Sequence, residues 1–566
     1  MRQIGIAPSE AVGDPGREGE GHLSGWPAVV GLFLGSLVLY YVNLGQPVEN
    51  PDEFYHILAA RGLLETGEPR IADGLYWRSY LFTRLVAASF WLLGDGLVAA
   101  RLPSVIATAT LVVVLFLWVR REAGAGPAWL AAGLYAVSPF AVEIAQFCRF
   151  YALQALAMIG TAWLVLELVG RPAQPRIQVI RLVGAGGLAA VAVSLQPTSL
   201  MGLAGLAAWA MPALALRLLA RTDLSRRAKL GRLAAAALLA AAAFAGALAS
   251  GRLADLWTLY REVPLFNVPL REQFWFYYLW YLLLYPALWV PVGLLALVAI
   301  ARAPGLGSLA TVTFATSFLL GSFAGSKALR YIAFAQPFLF VLWGLALATL
   351  LPALVGWAGR LARELEQLLT GFGNRARLAA RALIAAALAA LLLTNPFWLR
   401  TASLLADLPL GPEIPDSDWE RAAPVLRPLL AEAAVLVNTE ELGPLYYFGR
   451  HDILYSPSKL AELPPATRAD FGRDPRTGRP VIGSLEALER VIRCYPSGLF
   501  LAPALHWRRP YLADPEAADL LERLAEPVEL PAGSNIHAYR WRHAPPDPGE
   551  GEACRGLPGL AGSAQR

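Results

Sequence analysis

The sequence predicts an all-α polytopic membrane domain followed by a small C-terminal α/β domain. Apolar residues make up 56% of the 566 residues and charged residues only 16%, and the mean hydropathy is +0.47. Soluble domains carry about 25% charged residues, so most of this chain lacks the polar surface that a soluble fold needs. Long apolar runs separated by arginine-rich loops continue to about residue 400, and shorter alternating elements follow them.

A helix needs about 17 to 25 apolar residues to cross a bilayer. On this basis we predict eleven membrane spans, of which those near 127–142 and 182–196 are short. The predicted spans lie near residues 26–43, 102–119, 127–142, 150–170, 182–196, 198–216, 233–250, 274–301, 308–323, 331–357 and 382–399. Residues 1–25 contain no apolar core of the kind a signal peptide has, so we predict a disordered cytoplasmic tail.

The loops between these runs alternate in charge, which predicts their orientation. Every second loop is rich in arginine, and the positive-inside rule assigns those loops to the cytoplasm. They carry Arg120 and Arg121; Arg171, Arg176 and Arg181; the cluster from Arg217 to Arg232; Arg302; and the cluster from Arg360 to Arg381. With an odd number of spans, the N-terminus is expected inside and the C-terminal segment outside, in a cell membrane of bacterial inner-membrane type.

Residues 400–545 differ in kind from the apolar runs and predict an extracytoplasmic α/β domain. The stretch "AAVLVNTEELGPLYYFG" is typical of a strand, a turn and a helical or aromatic segment, and "SLEALERVIRCYPSGLFLAP" of an amphipathic helix and a strand. Alternation of this kind favours a small α/β domain. The three cysteines are an odd number, so they cannot form a complete disulfide framework, and they do not indicate the compartment. Residues 546–566 have a disordered composition.

The predicted topology collects the unusual polar residues on the outer face. Asp52, Glu53 and His56 follow the first span, Glu143, Arg149 and Tyr151 flank the third-to-fourth turn, and Lys327, Arg330 and Tyr331 begin a late helix. Each group also has a structural explanation: a solvated acid pair, a Glu143–Arg149 salt bridge, a structural histidine, or cations that anchor a helix end at lipid headgroups. Their convergence on one face favours a substrate with a phosphate and a hydroxyl acceptor that needs a general base.

Four motifs in this order resemble the GT-C glycosyltransferases. They are "PDEFYHILAARGLLETGEP" after the first span, "LFTRLVAASFWLLGDGLVAARLPSVI" before the second, "SPFAVEIAQFCRFYAL" at the third-to-fourth turn, and "KALRYIAFAQPFLF" at the late helix start. The resemblance is to the branch of protein O-mannosyltransferases and lipid A aminoarabinose transferases, and it covers most of the membrane part. Many members have a Pro-Pro pair where this chain has "LYWRSYLFTR".

The resemblance implies an inverting enzyme that transfers a sugar from a polyprenyl-phosphate donor to an acceptor hydroxyl. Asp52 would be the general base, with Glu53 orienting the acceptor or Asp52. Lys327, Arg330 and Arg149 would hold the donor phosphate. Tyr151, Tyr331, Glu143 and His56 are expected to line the substrate groove. The GT-C type of fold would also place amphipathic helices in the first outer loop.

Several alternatives stay open at this stage. No metal site is predicted, and a divalent cation is undecided, because one Asp, one Glu and one His are too few to specify it. The acceptor could be a lipid, a protein or a polysaccharide, and nothing in the charge distribution suggests nucleic acid. Rival functions are a flippase or transporter for lipid-linked sugars, which would not need Asp52, and a scaffold whose outer domain binds cell-wall polymer through residues such as His451, Asp452, His506 and His537.

Overall fold

The computed structural model describes residues 26–46, 50–262, 269–368, 395–406, 417–463 and 471–544, and the single positions 378, 379, 382, 386, 408, 554 and 557. Within the membrane part of these residues, the helices are α1 (Trp26–Tyr41), α2 (Asp52–Thr66), α3 (Tyr80–Leu93), α4 (Leu97–Ala123), α5 (Ala125–Ala136), α6 (Pro139–Ala145), α7 (Tyr151–Gly170), α8 (Pro175–Leu195), α9 (Ser199–Ala220), α10 (Arg226–Ala249), α11 (Arg252–Arg261), α12 (Pro269–Glu272), α13 (Phe276–Leu284), α14 (Pro286–Trp289), α15 (Val292–Arg302), α16 (Pro304–Phe323), α17 (Gln336–Leu368) and α18 (Pro396–Ala406). A 3₁₀ helix, Leu329–Ala335, leads into α17.

Six helices in the described part of the chain are long and apolar enough to cross a membrane, so the chain is a multi-pass membrane protein. They are α4, α7, α8, α9, α16 and the stretch Leu329–Trp357. A seventh span arises if α5 and α6, which meet at a bend of 60°, are counted as one. These seven coincide with seven of the predicted runs, including the short ones near 127–142 and 182–196.

The prediction of one long span over 274–301 is wrong. The region consists of three short helices, α13, α14 and α15, with breaks at Tyr285 and at Val290–Pro291. Pro286 and Pro291 stand at these breaks, and proline lacks the N–H and clashes with the preceding turn of a continuing helix. Most of the predicted span at 382–399 lies outside the described residues. The same is true of the N-terminal tail and, apart from positions 554 and 557, of the C-terminal tail.

The loop between α1 and α4, which we call the first loop (residues 42–96), contains helices α2 and α3, as expected. It also holds a two-stranded antiparallel hairpin, β1 (Arg70–Ile71) and β2 (Gly74–Leu75). Helix α2 begins directly after Pro51 and ends at Gly67, whose φ of 80° is the left-handed conformation that glycine adopts at helix ends. Buried side chains of α2, α3 and α7 share one apolar core, so the first loop is packed onto the membrane helices.

The C-terminal part forms the predicted α/β domain around a mixed seven-stranded sheet. Its strands are β3 (Val435–Asn438), β4 (Ile453–Tyr455), β5 (Gly472–Arg473), β6 (Pro480–Ile482), β7 (Ser497–Pro503), β8 (Glu526–Pro527) and β9 (Ile536–Arg542). The helices are α19 (Trp419–Glu432), α20 (Leu442–Phe448), α21 (Pro457–Glu462), α22 (Leu485–Cys494) and α23 (Pro515–Leu524). The strand order is β5-β6-β4-β3-β7-β9-β8, with β6, β4, β3 and β7 parallel. The strands and helices predicted from the two quoted stretches are confirmed.

A disulfide joins Cys494, at the end of α22, to Cys554 in the C-terminal tail. The third cysteine, Cys148, is buried as a free thiol in the membrane part. An odd number of cysteines rules out pairing of all three but not of two, and the sequence separation of 60 residues shows no local spacing that would indicate the pair.

Candidate active site

Asp52 begins helix α2 and lies where three parts of the membrane domain meet. A carboxylate in the first turn is favoured by the helix dipole, and the backbone N–H of Asp52 is held by the side-chain oxygen of Asn50 at 3.0 Å. Nη2 of Arg330 lies 3.1 Å from Asp52 Oδ2, and Nη2 of Arg149 lies 4.0 Å from the same oxygen. The Asp52 side chain keeps 30% of its surface exposed, so the carboxylate remains accessible.

Arg149, in the turn between α6 and α7, holds Asp52 in this position. Its side chain is only 3% exposed. Its Nη1 donates to the backbone carbonyl of Asp52 at 2.9 Å and to the hydroxyl of Tyr76 at 3.5 Å. The guanidinium also lies over the ring of Phe150, 5.0 Å from its centroid. Arg149 therefore holds both the backbone and the carboxylate of the first residue of α2.

More cations surround Asp52 than the sequence suggests. Burial raises the pKa of the Asp52 carboxyl, but Arg149, Arg330, Arg78 and Arg476 together outweigh burial, and the pKa falls below its ordinary value. The carboxylate is therefore ionised, and it is the counter-ion of a strongly positive site. Such a concentration of guanidinium groups suits the recognition of a phosphate or another anion.

Arg271, on the short helix α12, belongs to the same positive site. Burial and the nearby charge of Arg330 lower the pKa of Arg271, whereas Asp52 and Tyr331 raise it. Two guanidinium groups that repel each other in this way would gain from an anion bound between them. The sequence places Arg78 among the polar residues of the first loop but assigns it no role, and it does not single out Arg271 or Arg476. Nothing local distinguishes them from other loop arginines, because only the fold brings them to Asp52.

Glu53 has a different environment from its neighbour Asp52. Its carboxylate is buried and accepts from Nε and Nη2 of Arg101 at 2.9 Å and 2.8 Å. It also accepts from the backbone N–H of Cys148 at 2.7 Å. Glu53 therefore joins α2 to the start of α4 and to the turn that carries Arg149. Its oxygens are occupied by these partners, and Asp52 alone of the acid pair faces the arginine site.

His56 and Glu143 were both expected to line a substrate groove. The His56 ring is fully buried among Tyr76, Phe82 and Phe150, and its Nδ1 lies 2.9 Å from the hydroxyl of Thr83. Burial, together with Arg149 and Arg78, lowers the pKa of His56 well below its usual range, so the ring is neutral. Glu143 is exposed on the short helix α6.

The two predicted groove tyrosines adjoin the arginine site. Tyr151 begins α7, is buried, and lies 4.6 Å from the ring of Phe150. Tyr331 follows Arg330, whose guanidinium lies over the Tyr331 ring at 5.8 Å from the centroid. Lys327 is buried, and its ammonium donates to the backbone carbonyl of Glu272 at 3.1 Å. Lys327 therefore fixes the end of α12, next to Arg271.

A cavity of about 990 Å³ opens beside the arginine site. Much of its wall is apolar, with Leu195, Leu200, Met201, Leu256, Trp257 and Ile332 among the lining residues. Arg78 and Tyr331 also line it, so the cavity reaches the cations that surround Asp52. Arg78 is held at this position by Gln196, whose side-chain oxygen accepts from Nη2 at 3.0 Å.

Nothing in the described part of the chain groups three or more His, Cys, Asp or Glu side chains in a way that could hold a metal ion. Three of the four residues of the C-terminal domain named for a polymer-binding site are engaged internally, and the fourth, His537, is partly exposed and stacks on Trp507 with ring centroids 4.8 Å apart. His451 pairs with Asn438 at 2.7 Å, His506 with Thr439 at 3.1 Å, and Asp452 with Arg450 at 2.7 Å.

Comparison with known proteins gives no sequence-level relative but a clear structural one. No protein-family model and no curated protein sequence matches the chain. The solved structure of ArnT from Cupriavidus metallidurans in the apo state matches 92% of this chain and 98% of its own, with 16% sequence identity and a TM-score of 0.57. ArnT from the same organism bound to undecaprenyl phosphate matches 91% and 98%, with 17% identity and a TM-score of 0.56.

A third match is weaker. The archaeal oligosaccharyltransferase AglB from Archaeoglobus fulgidus, in complex with an inhibitory peptide and a dolichol-phosphate, covers 71% of this chain and 58% of its own, with 15% identity and a TM-score of 0.45. The fold assignment depends on the two ArnT structures, which span both the membrane helices and the C-terminal α/β domain. The chain is therefore a multi-pass membrane protein with the fold of ArnT.

Proposed function

We propose that this protein is an inverting glycosyltransferase that moves a sugar from a polyprenyl-phosphate donor to an acceptor hydroxyl, with Asp52 as general base. The observation that carries this proposal is the position of one accessible carboxylate among arginines at the end of a largely apolar cavity. A phosphate attached to a long apolar tail and a sugar matches each of these features. The GT-C fold and the undecaprenyl phosphate bound to the structurally similar ArnT support the same donor class.

The donor phosphate would take the place that Asp52 now occupies as partner of Arg330. Arg78 and Arg271 would approach the phosphate from the cavity side and from α12, and the polyprenyl tail would extend along Leu200, Met201 and neighbouring apolar walls. Exchange of partners frees the Asp52 carboxylate, and the phosphate charge offsets the cations that lower its pKa. Donor binding would therefore increase the basicity of Asp52 when the base is needed.

In the reaction, the acceptor oxygen forms a bond to the sugar C1 while the bond from C1 to the phosphate oxygen breaks. The acceptor proton passes to the Asp52 carboxylate, and the electron pair of the broken bond stays on the polyprenyl phosphate. Fixed arginines stabilise the charge that develops on this leaving group. General base catalysis by a placed carboxylate contributes about 10²- to 10⁴-fold in rate.

The other predicted site residues take supporting parts in this proposal. Glu53 positions the start of α2 and the Arg149 turn through Arg101 and the Cys148 amide, and Lys327 positions α12 and thereby Arg271. Tyr151 and Tyr331 shape the phosphate end of the groove. Direct contacts of Lys327, Glu143 and His56 with substrate stay predictions.

We also propose that the site faces the exterior, with the N-terminus in the cytoplasm and an extracytoplasmic domain over residues 400–545. The disulfide between Cys494 and Cys554 favours this orientation for the C-terminal domain, because disulfides persist in exported segments and are rare in the cytosol. The arginine-rich loops favour the same orientation.

Substitution of Asp52 by asparagine tests the proposal. In purified protein in nanodiscs, transfer of radiolabelled sugar from a panel of polyprenyl-phosphate sugars to a membrane extract should fall by about 10²- to 10⁴-fold. Binding of undecaprenyl phosphate to the same preparation should be kept or strengthened, because Arg330 loses its competing partner. Asp95→Asn is the matched control, since Asp95 is an exposed carboxylate of the first loop that pairs with Arg61.

The outcome also distinguishes the transporter hypothesis. A flippase needs the cations but no proton acceptor. The flippase hypothesis therefore predicts that Asp52→Asn still moves lipid-linked sugar across vesicle membranes, and that the wild-type protein transfers no sugar to an acceptor. Full transfer activity in Asp52→Asn would remove the general base from the proposal.

A further inference from the structure

The C-terminal domain is locked to the first loop close to Asp52. The turn between β5 and β6 (residues 474–479) rests on the β1–β2 hairpin, where the backbone N–H of Asp73 donates to the carbonyl of Thr477 at 2.9 Å. A side chain at Gly74 would come within 2.4 Å of the Arg476 carbonyl, so the two backbones touch at a position that only glycine allows. Arg479 adds an ion pair with Asp73 at 3.1 Å.

This turn directs one cation toward the site. Arg476 is held at its base by Asp474, whose carboxylate accepts from Thr477 at 2.9 Å and lies 3.5 Å from the guanidinium. Nη1 of Arg476 donates to the hydroxyl of Tyr55 at 2.7 Å, and the guanidinium lies over the same ring, 5.3 Å from its centroid. The Tyr55 hydroxyl in turn donates to Glu441, in the loop between β3 and α20, at 3.3 Å.

Tyr55 carries this contact to the catalytic end of α2. It lies three residues after Asp52, so both side chains project from one side of the helix. Its ring stacks on Tyr76, with centroids 4.9 Å apart, and the Tyr76 hydroxyl meets Arg149, which holds Asp52. A continuous set of contacts therefore runs from the C-terminal domain to the proposed base.

The contacts of Tyr55 and Arg476 lie away from the cavity, which relates them to the acceptor and not to the donor. Arg78 and Tyr331 line the cavity, whereas neither Tyr55 nor Arg476 is among the described residues that line it. In an inverting transfer, the attacking hydroxyl and the leaving group lie on opposite faces of the sugar. If the polyprenyl phosphate occupies the cavity side, Tyr55 and Arg476 border the side from which the acceptor arrives.

We infer that Arg476 of the C-terminal domain is a positioning residue for the acceptor, which holds Tyr55 at the acceptor side of Asp52 and completes a site that the membrane domain alone leaves open. This inference rests on the proposed glycosyl transfer and extends it, because it makes the C-terminal domain part of the acceptor site. The Arg476 side chain is 39% exposed, so part of it remains available to an arriving acceptor.

The test separates acceptor use from donor use and from domain docking. Transfer by intact purified protein is measured while either the polyprenyl-phosphate sugar or the membrane extract is varied. Arg476→Gln should raise the extract concentration needed for half-maximal rate by about tenfold, the effect of one lost charge-assisted hydrogen bond. The half-saturating donor concentration should change by less than about twofold, since donor contacts remain. Tyr55→Phe should act in the same direction, and Arg476→Lys should recover part of the loss.

Arg479→Gln is the matched control, because it removes a docking ion pair on the same turn but no contact to Tyr55. An equal loss in Arg479→Gln and Arg476→Gln would reduce Arg476 to a docking role and overturn the inference. A change in donor use alone, or no change, would also overturn it while leaving the proposed transfer intact. If the wild type transfers no sugar from any donor, the proposed function fails and the inference fails with it.

Discussion

Nη2 of Arg330 lies 3.1 Å from the carboxylate of Asp52, although 278 residues separate the two along the chain. The pair joins the start of the first-loop helix α2 to the start of the last described long membrane helix. A carboxylate that is both paired and accessible can exchange its partner when a competing anion binds. In the proposed function, this pair would let one site attract the donor phosphate and release Asp52 to act as base when the phosphate binds.

The pH dependence of transfer should reflect these neighbours. Burial raises the pKa of Asp52, but Arg149, Arg330, Arg78 and Arg476 lower it by more than burial raises it. The pKa therefore lies below the ordinary value of about 3.9. Ionised Asp52 therefore contributes to folding stability above that value, and the contribution is lost as pH falls through the lowered pKa. For catalysis, we expect no loss of rate from protonation of free-enzyme Asp52 down to about pH 4.

Arg330→Gln removes one of the cations and should move the acidic limb of kcat/KM to higher pH. Rates measured from about pH 3 to pH 8 on both proteins provide the comparison, and Arg330→Gln should begin to lose rate at a higher pH than the wild type. Arg84→Gln, which changes an exposed arginine of the first loop, is the control. Equal pH profiles in Arg330→Gln and the wild type would mean that the titrating group is not Asp52.

Binding of the donor phosphate should depend more on Arg330 than on Lys327. Arg330→Gln should weaken the binding of undecaprenyl phosphate by about 1.5–3 kcal/mol, the value of a hydrogen bond to a charged group. Lys327→Met should weaken this binding less than Arg330→Gln does. The Lys327 ammonium donates to the Glu272 carbonyl and would affect binding only through α12. Isothermal titration in nanodiscs measures both; equal losses would instead support direct contact between Lys327 and the phosphate.

Glu53→Gln should destabilise the fold more than it slows chemistry. The Glu53–Arg101 pair is buried, with side chains 3% and 6% exposed, so removal of one charge leaves the other uncompensated. Breaking such a pair costs about 3–5 kcal/mol. The expected result is a large fall in the thermal unfolding temperature.

The control for Glu53 is Glu68→Gln, which breaks the exposed pair with Arg70 and should cost less than about 1 kcal/mol. A stable Glu53→Gln protein that transfers sugar as slowly as Asp52→Asn would instead give Glu53 a direct catalytic part.

The disulfide predicts both orientation and stability. In protein extracted from membranes, maleimide should label Cys494 and Cys554 only after reduction. Cys554→Ser should destabilise the C-terminal domain by up to about 4 kcal/mol, the chain-entropy value for a closed loop of this length. A reporter that is active only when exported should be active when fused after residue 400. A reporter that is active only in the cytoplasm should be active when fused after residue 230. Unprotected thiols together with a cytoplasmic C-terminus would overturn the proposed orientation.

The sequence by itself determined the class of protein, most of its helices and strands, and the position of Asp52 at the start of the first loop helix. Apolar run length indicates the seven candidate spans of the described residues, three of which continue through an internal proline. Alternating patterns after residue 400 indicate the strands and helices of the C-terminal domain, because both patterns are local consequences of burial. Prolines 286 and 291 mark the place where run length misleads, since the run is apolar throughout but cannot continue as one helix.

Only the tertiary structure decided which charges meet. Asp52 and Glu53 are adjacent in sequence, yet one faces five arginines and the other is buried against Arg101. The partner of a charged side chain depends on contacts between residues that are tens to hundreds of positions apart, from 48 for Glu53 and Arg101 to 278 for Asp52 and Arg330, and no local pattern records them. For the same reason Arg271, on the short helix α12, and Arg476, in the C-terminal domain, become part of the site only when helices and domains pack together.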